Sequence, residues 1–333
     1  LLRLCLAACF FVLGEVIGVF LSWHFMAAKF KNLTDRYNSI TVPDFLHSHF
    51  NAKTNTIRII AATALSAFVV IYVSAQIDIT GKTFESFLGY NYYNGIFIGF
   101  GIVVAYIFFG GFLAVAWSDI FQGSLMFVAL LILPIVAYFQ LPTDTNFLQG
   151  LSDIDPSLLN IWGDGGFNLL NAFSVIGLLS IGIGFLGSPQ VYVRFIAIRD
   201  SAEIKKGKIV AVLYTLITSS SAVIIGMLGR FMFTTSNQNP ELALGVAGEN
   251  VLYLLLIDIM PKVIIGFYIA ALLSAVMSTV DSLLVVASSA VTRDFYQQII
   301  NPNADSQLLI NLSKKVTLAL AFFALSVAIS VSL

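Results

Sequence analysis

Charge is what this chain has least of. Only 11% of its 333 residues are Asp, Glu, Lys or Arg, against about 25% in ordinary soluble domains. Seventeen basic and 18 acidic residues leave a net charge of −1, so no electrostatic footprint for a nucleic acid is present. Cysteine is almost absent. The two there are, Cys5 and Cys9, stand one helical turn apart in an apolar segment with no other ligand type near them, and they are expected to pack rather than to pair or hold metal. Of three histidines, His47 and His49 form an isolated "HSH" in a polar connection, expected as solvated loop residues. The sequence has no Gly-rich phosphate loop, no HExxH and no Ser/His/Asp set, so no enzyme class is indicated.

Hydrocarbon takes the place of charge. Hydrophobic residues make up 58% of the chain, the mean hydropathy is +0.92, and the apolar residues cluster in long blocks. The pattern predicts an all-α polytopic membrane protein. Eight spans are expected, at about 2–27, 56–78, 92–114, 117–141, 166–189, 207–233, 262–293 and 314–333. A tight turn near Gly110 would separate the third from the fourth. Most basic residues fall in three alternate connections: Lys29, Lys31, Arg36, Lys53 and Arg58; Arg194, Arg199, Lys205, Lys206 and Lys208; Arg293, Lys314 and Lys315. The positive-inside rule assigns these to the cytoplasm. The 142–165 loop, with four Asp and no Lys or Arg, lies opposite and is expected to form a short surface helix or an irregular cap. Residues 237–260 read as an amphipathic external helix. Leu1 is not an initiator Met and the last block stops inside a spanning pattern, so the chain reads as an internal piece of a longer protein. No signal-peptide cleavage pattern is recognisable.

The seventh span is the one that carries unusual polarity. In "SAVMSTVDSLLVVASSA", helical spacing sets Ala275, Ser278, Thr279, Asp281 and Ser282 on one stripe. Val276, Met277, Val280, Leu283, Leu284 and Ala287 cover the other side. Ser and Thr in spanning helices commonly bond back to their own backbone, the reading favoured for Ser288 and Ser289. Asp281 differs, because a carboxylate near mid-membrane costs about 2.5–3.5 kcal/mol even on lenient scales. No Lys or Arg in this span neutralises it. An oxygen-only set of hydroxyls, a carbonyl and a carboxylate suits a hard cation rather than zinc or copper. Asp119, at compatible depth in the fourth span, is a second carboxylate for such a site, or else a helix cap.

Other polar features are weaker. Gly177, Gly182, Gly184, Gly187 and Pro189 in the fifth span predict an unwound segment lining a cavity, the usual solute position in secondary transporters. Tyr72 and Gln76 share a face of span two and suit a polar solute, while Asp78 and Lys82 are spaced to pair. Glu15 has no evident partner in the sequence.

"GGFLAVAWSDIFQGSLM", "GFLGSPQVYVRFIAIRDS" and "SAVMSTVDSLLVVASSAVTRDFY", with "YNSITVPDFLHSHF" after span one, resemble the sodium:solute symporter family, in its sodium/proline symporter branch. The resemblance runs over essentially the whole chain. It implies an inverted-repeat fold of five plus five helices with the first and last core helices missing, and a sodium-coupled importer of a small organic solute. It further implies a sodium site from the Ala275 carbonyl with the hydroxyls of Ser278 and Thr279. A second site, found in some members, would use Asp119, Ser278, Asp281 and Ser282, with Asp281 replacing a serine. The solute would meet Tyr72, Gln76, Ile181, Phe185 and Pro189. Ile181 and Phe185 stand where the proline branch carries Trp and Tyr, so an amino acid other than proline, a carboxylate or a more apolar solute stays open. Expected partners are sodium, the solute and the lipid bilayer of the plasma membrane; the oligomeric state is not legible. Two alternatives stay open: the sensing domain of a membrane histidine kinase, and a symporter coupled to protons through Asp281.

Overall fold

The computed structural model describes residues 6–144, 146–236 and 238–332, and every regular element among them is helical. The first run is α1 (Ala8–Leu21), a π-helical turn (Ser22–Met26) and α2 (Ala27–Tyr37), followed by α3 (Val42–His49) and α4 (Thr56–Leu88). Next come α5 (Tyr92–Phe139), α6 (Phe147–Ile154), α7 (Leu169–Leu186), α8 (Pro189–Ala197) and α9 (Ser201–Phe233). The chain closes with α10 (Pro240–Leu244), α11 (Val251–Ile259), α12 (Lys262–Ser289), continued by a π-helix (Ala290–Ile300), and α13 (Ser306–Ser332). Seven helices among the described residues are long and apolar enough to cross a membrane. The chain is a multi-pass membrane protein.

Local chemistry sets most boundaries. Thr41 caps α3 by accepting from the Asp44 amide at 3.2 Å, with Pro43 in the first turn. Asn146 and Asn168 cap α6 and α7 in the same way, at 3.2 and 2.8 Å. Gly89, at φ +66°, closes α4 in the left-handed conformation that favours glycine. The 142–165 loop does carry the expected short helix, but Leu151 within it and Leu158 beyond it are fully buried against Phe231, so it is a packed cap. The segment 237–260 forms two short helices and a 3-10 turn rather than one amphipathic helix. The break falls at Gly245, whose φ of +77° no helix accommodates.

One expectation fails and another holds only in part. No turn divides the third span from the fourth: helical backbone runs unbroken through Gly110 and Gly111. Paired glycines permit a turn but do not impose one, and no proline or polar stop signal accompanies them. At about 1.5 Å per residue the helix far exceeds the roughly 30 Å hydrocarbon core, so it is no single straight span. The break expected in the fifth span is present, but only at its end. α7 is continuous to Leu186, and the break comes at Gly187 and Ser188, immediately before Pro189 starts α8.

The chain divides into two compact units. One contains the segment ending at Met26, Phe127–Gly187 and Ile204–Tyr268. Its α1 and α7 cross at glycines. A Cβ on Gly14 would lie 2.5 Å from the Leu179 carbonyl oxygen, and one on Gly182 would run into the Gly14 carbonyl. Lipid tails are as apolar as leucine, so close backbone approach rather than water expulsion holds such helices together. Gly182 thus serves packing, while an added Cβ at Gly177 or Gly184 would meet nothing within 4 Å. Glu15 of α1 does find a partner here: Ser219 of α9 donates to its Oε2 at 2.5 Å.

The other unit contains Ala27–Met126, Ser188–Glu203 and the segment from Ile269 onward. Val69, Val73 and Ile77 of α4, Ile96 and Val103 of α5, Val276, Val280 and Leu284 of α12, and Ala321, Ala324 and Ala328 of α13 make its core. The apolar face predicted for the seventh span is therefore the face that packs here. All the candidate ion-site residues lie in this unit.

Candidate ion site

On α12 the three residues of the first predicted sodium site converge. Ser278 Oγ donates to the Ala275 carbonyl at 3.0 Å and Thr279 Oγ1 donates to the same oxygen at 3.1 Å. Each hydroxyl uses its single proton in that bond and keeps its lone pairs, so Ser278 and Thr279 retain acceptor capacity, while the Ala275 carbonyl already accepts both hydroxyls within its helical turn. All three residues are half-buried. An oxygen-only donor set of this kind fits an alkali cation. Further along, Ser288 bonds back to the Val285 carbonyl at 3.1 Å, the backbone role expected of it.

The second predicted set is arranged differently. Asp119 lies well inside α5 and does not cap it. Its Oδ2 pairs with the guanidinium of Arg194 from α8, and Ser282 Oγ lies 3.4 Å away. The same Arg194 Nη2 reaches Ser282 Oγ at 2.8 Å. Ser278 gives its proton to Ala275, and Asp281 is fully buried within α12. The structure thus brings together Asp119 and Ser282, with an arginine between them. Sequence reasoning assigned Arg194 to the basic connection and missed it here. A signal existed: "QVYVR" puts Gln190 and Arg194 four apart, on one face of a helix started by Pro189.

A third polar group contains Arg58, which the sequence placed in a basic connection. Arg58, Asp44 and Asp294 are buried together where α3, the start of α4 and the π-helix meet. Arg58 reaches Asp44 at 2.7 Å and Asp294 at 3.4 Å, and Thr41 Oγ1 donates to Asp294 Oδ2 at 2.8 Å. His47 and His49 sit on α3 rather than in a loop, with His49 stacked on Phe45 at 5.2 Å between centroids. No group of three or more His, Cys, Asp or Glu capable of holding a metal occurs among the described residues. Cys9 is a free, exposed thiol, and Cys5 lies outside the described residues.

Of the solute residues, Tyr72, Gln76 and Pro189 belong to one unit and Ile181 and Phe185 to the other. Tyr72 is 52% exposed on α4 with Gln76 one turn on, and Asp78 pairs with Lys82 at 3.2 Å as its spacing predicts. Ile181 and Phe185 lie on α7, and Pro189 opens α8. A cavity of about 350 Å³ lies between the start of α3, α8 and α12, lined by Pro43, Ile196 and Val286 among others. None of the five solute residues lines it.

Comparison with known proteins agrees with the helical architecture. Over 330 residues, 97% of this chain and 66% of the relative, the chain is 32% identical to the high-affinity proline transporter PutP of Bacillus subtilis. It is 30% identical over 329 residues to the osmoregulated proline transporter OpuE of the same bacterium, covering 98% of this chain and 64% of OpuE. The chain therefore spans slightly less than two thirds of the length of these relatives. A solved structure of a Na+-coupled sialic acid symporter, in a substrate-bound outward-open state, superposes with a TM-score of 0.80 at 21% identity. That superposition covers 99% of this chain and 71% of the symporter, and it establishes a shared fold. Residues 3–332 match the sodium:solute symporter family, and the chain belongs to it.

Proposed function

We propose that the protein containing this chain is a sodium-coupled secondary transporter of the plasma membrane that imports a small organic solute. The observation that carries the reading is the convergence of Ser278 and Thr279 on the Ala275 carbonyl. Together with family membership, it supports assigning these three oxygens as the sodium ligands. Sodium bound there favours the solute-competent conformation, and the two ligands raise each other's affinity by the same factor. One charge moving through 100 mV supplies about 2.3 kcal/mol, roughly fifty-fold accumulation.

The solute is an amino acid or a carboxylate. Two relatives are proline transporters by name, but Ile181 and Phe185 offer neither an N–H nor an O–H. A second reading, proton coupling, is favoured by the complete burial of the Asp281 carboxylate. The deciding measurement is uptake of radiolabelled amino acids and carboxylates by full-length protein in proteoliposomes, under an imposed sodium or proton gradient. Accumulation driven by sodium alone supports the sodium reading; accumulation that ignores sodium and collapses with the proton gradient rejects it.

A further inference from the structure

Asp119 has the chemistry of a cation ligand, yet the position beside it is filled by part of the chain itself. Arg194 Nη2 contacts both Asp119 Oδ2 and Ser282 Oγ. A guanidinium carries a permanent positive charge and donates without accepting, as a bound metal cation attracts oxygen without returning a proton. Adding sodium beside this pair would put two positive charges against one carboxylate. The rest of the pocket is also made of oxygen and hydrocarbon. Asp119, Gln190, Arg194 and Ser282 line a cavity of about 40 Å³, walled otherwise by aliphatic residues such as Val115 and Val193. Asp119 Oδ1 and Gln190 Oε1 are buried and have no hydrogen-bond partner among the described residues. The cavity is large enough to hold water, and removing the arginine head enlarges it.

We infer that Arg194 is a tethered cation that occupies the second cation position, so that the transporter couples to one sodium ion and not two. The inference rests on the sodium reading proposed above. It assigns Arg194 as the residue that fixes stoichiometry, and it names Asp119, Ser282 and Gln190 as the oxygen ligands that a second sodium would use once the guanidinium is gone. The pair is local to one unit, between α5, α8 and α12, and so does not depend on how the units are disposed.

The test counts sodium ions bound to purified full-length protein, by equilibrium binding of radioactive sodium, alongside the Hill slope of uptake. The parent is expected to bind one ion with a slope near one. Arg194→Gln is expected to bind two, with a slope approaching two. Arg194→Lys should stay at one, because it keeps the charge. Arg194→Gln/Asp119→Asn should return to one, which a merely structural role for Arg194 would not produce. Asp119→Asn alone should leave the count at one, which keeps the test usable where Arg194→Gln does not fold. A parent that binds two ions, a folded Arg194→Gln that still binds one, or loss of an ion in Asp119→Asn overturns the assignment. A parent that binds no sodium overturns the sodium reading beneath it as well.

Discussion

Arg58 Nη2 lies 2.7 Å from Asp44 Oδ1, with the two side chains only 6% and 8% exposed. Neither belongs to the ion site, yet together with Asp294 they tie α3 and α4 to the π-helical end of α12. Removing one partner of a buried ion pair strands the other charge, which costs about 3–5 kcal/mol. Arg58→Ala is therefore expected to be strongly destabilising. Adding Asp44→Ala to it should cost less than the sum of the two single changes, because the stranded carboxylate goes as well. Thermal unfolding of the purified variants in detergent checks this, and strict additivity would remove the coupling.

At the proposed sodium site, Ser278→Ala and Thr279→Ala each delete one oxygen while leaving the helix good formers at both positions. Each is expected to raise the sodium concentration for half-maximal uptake by about tenfold, equivalent to about 1.4 kcal/mol, with little change in melting temperature. Sodium dependence identical to the parent in both variants would remove these hydroxyls from the site.

The α1–α7 crossing makes a packing prediction. Gly182→Val forces three carbons into the space held by the Gly14 carbonyl. Overpacking of this kind costs about 1–3 kcal/mol. Gly177→Ala, where an added Cβ meets nothing within 4 Å, should instead be neutral or slightly stabilising. Melting temperatures of the two variants side by side provide the comparison, and equal losses would contradict the crossing.

His47 predicts an acid sensitivity outside the membrane segments. Burial, and next the neighbouring Arg58, hold its pKa below the ordinary 6.5, with Asp44 opposing them. The unfolded chain thus binds the proton more readily than the folded one. The stability the neutral ring contributes is present above about pH 6.5 and is lost as pH falls through the lower folded value. His47→Gln should flatten the acid side of the melting profile over that window. An unchanged profile would count against the shift.

Much of this was legible in the residues themselves. Unbroken hydrocarbon specifies spanning helices, because only a helix satisfies its own backbone in lipid. The stripe of oxygens on the seventh span placed Ser278 and Thr279 beside the Ala275 carbonyl, since all three lie within one turn and need only helical geometry to meet. The pairing of Asp78 with Lys82 was likewise readable from their spacing. Glycine proved ambiguous: the same residue type that suits an unwound helix also suits a close crossing, and Gly182 proved to be the latter only once α1 was placed against it.

What the sequence by itself determined is the class of molecule and the oxygen stripe on the seventh span, both consequences of short-range periodicity. Only the tertiary structure decided which distant charges meet. Arg194 is 75 residues from Asp119, and Thr41 is 253 residues from Asp294. No local pattern encodes either encounter. Each carboxylate loses water on burial and takes the donor that packing brings within reach, and packing is a property of the whole folded chain.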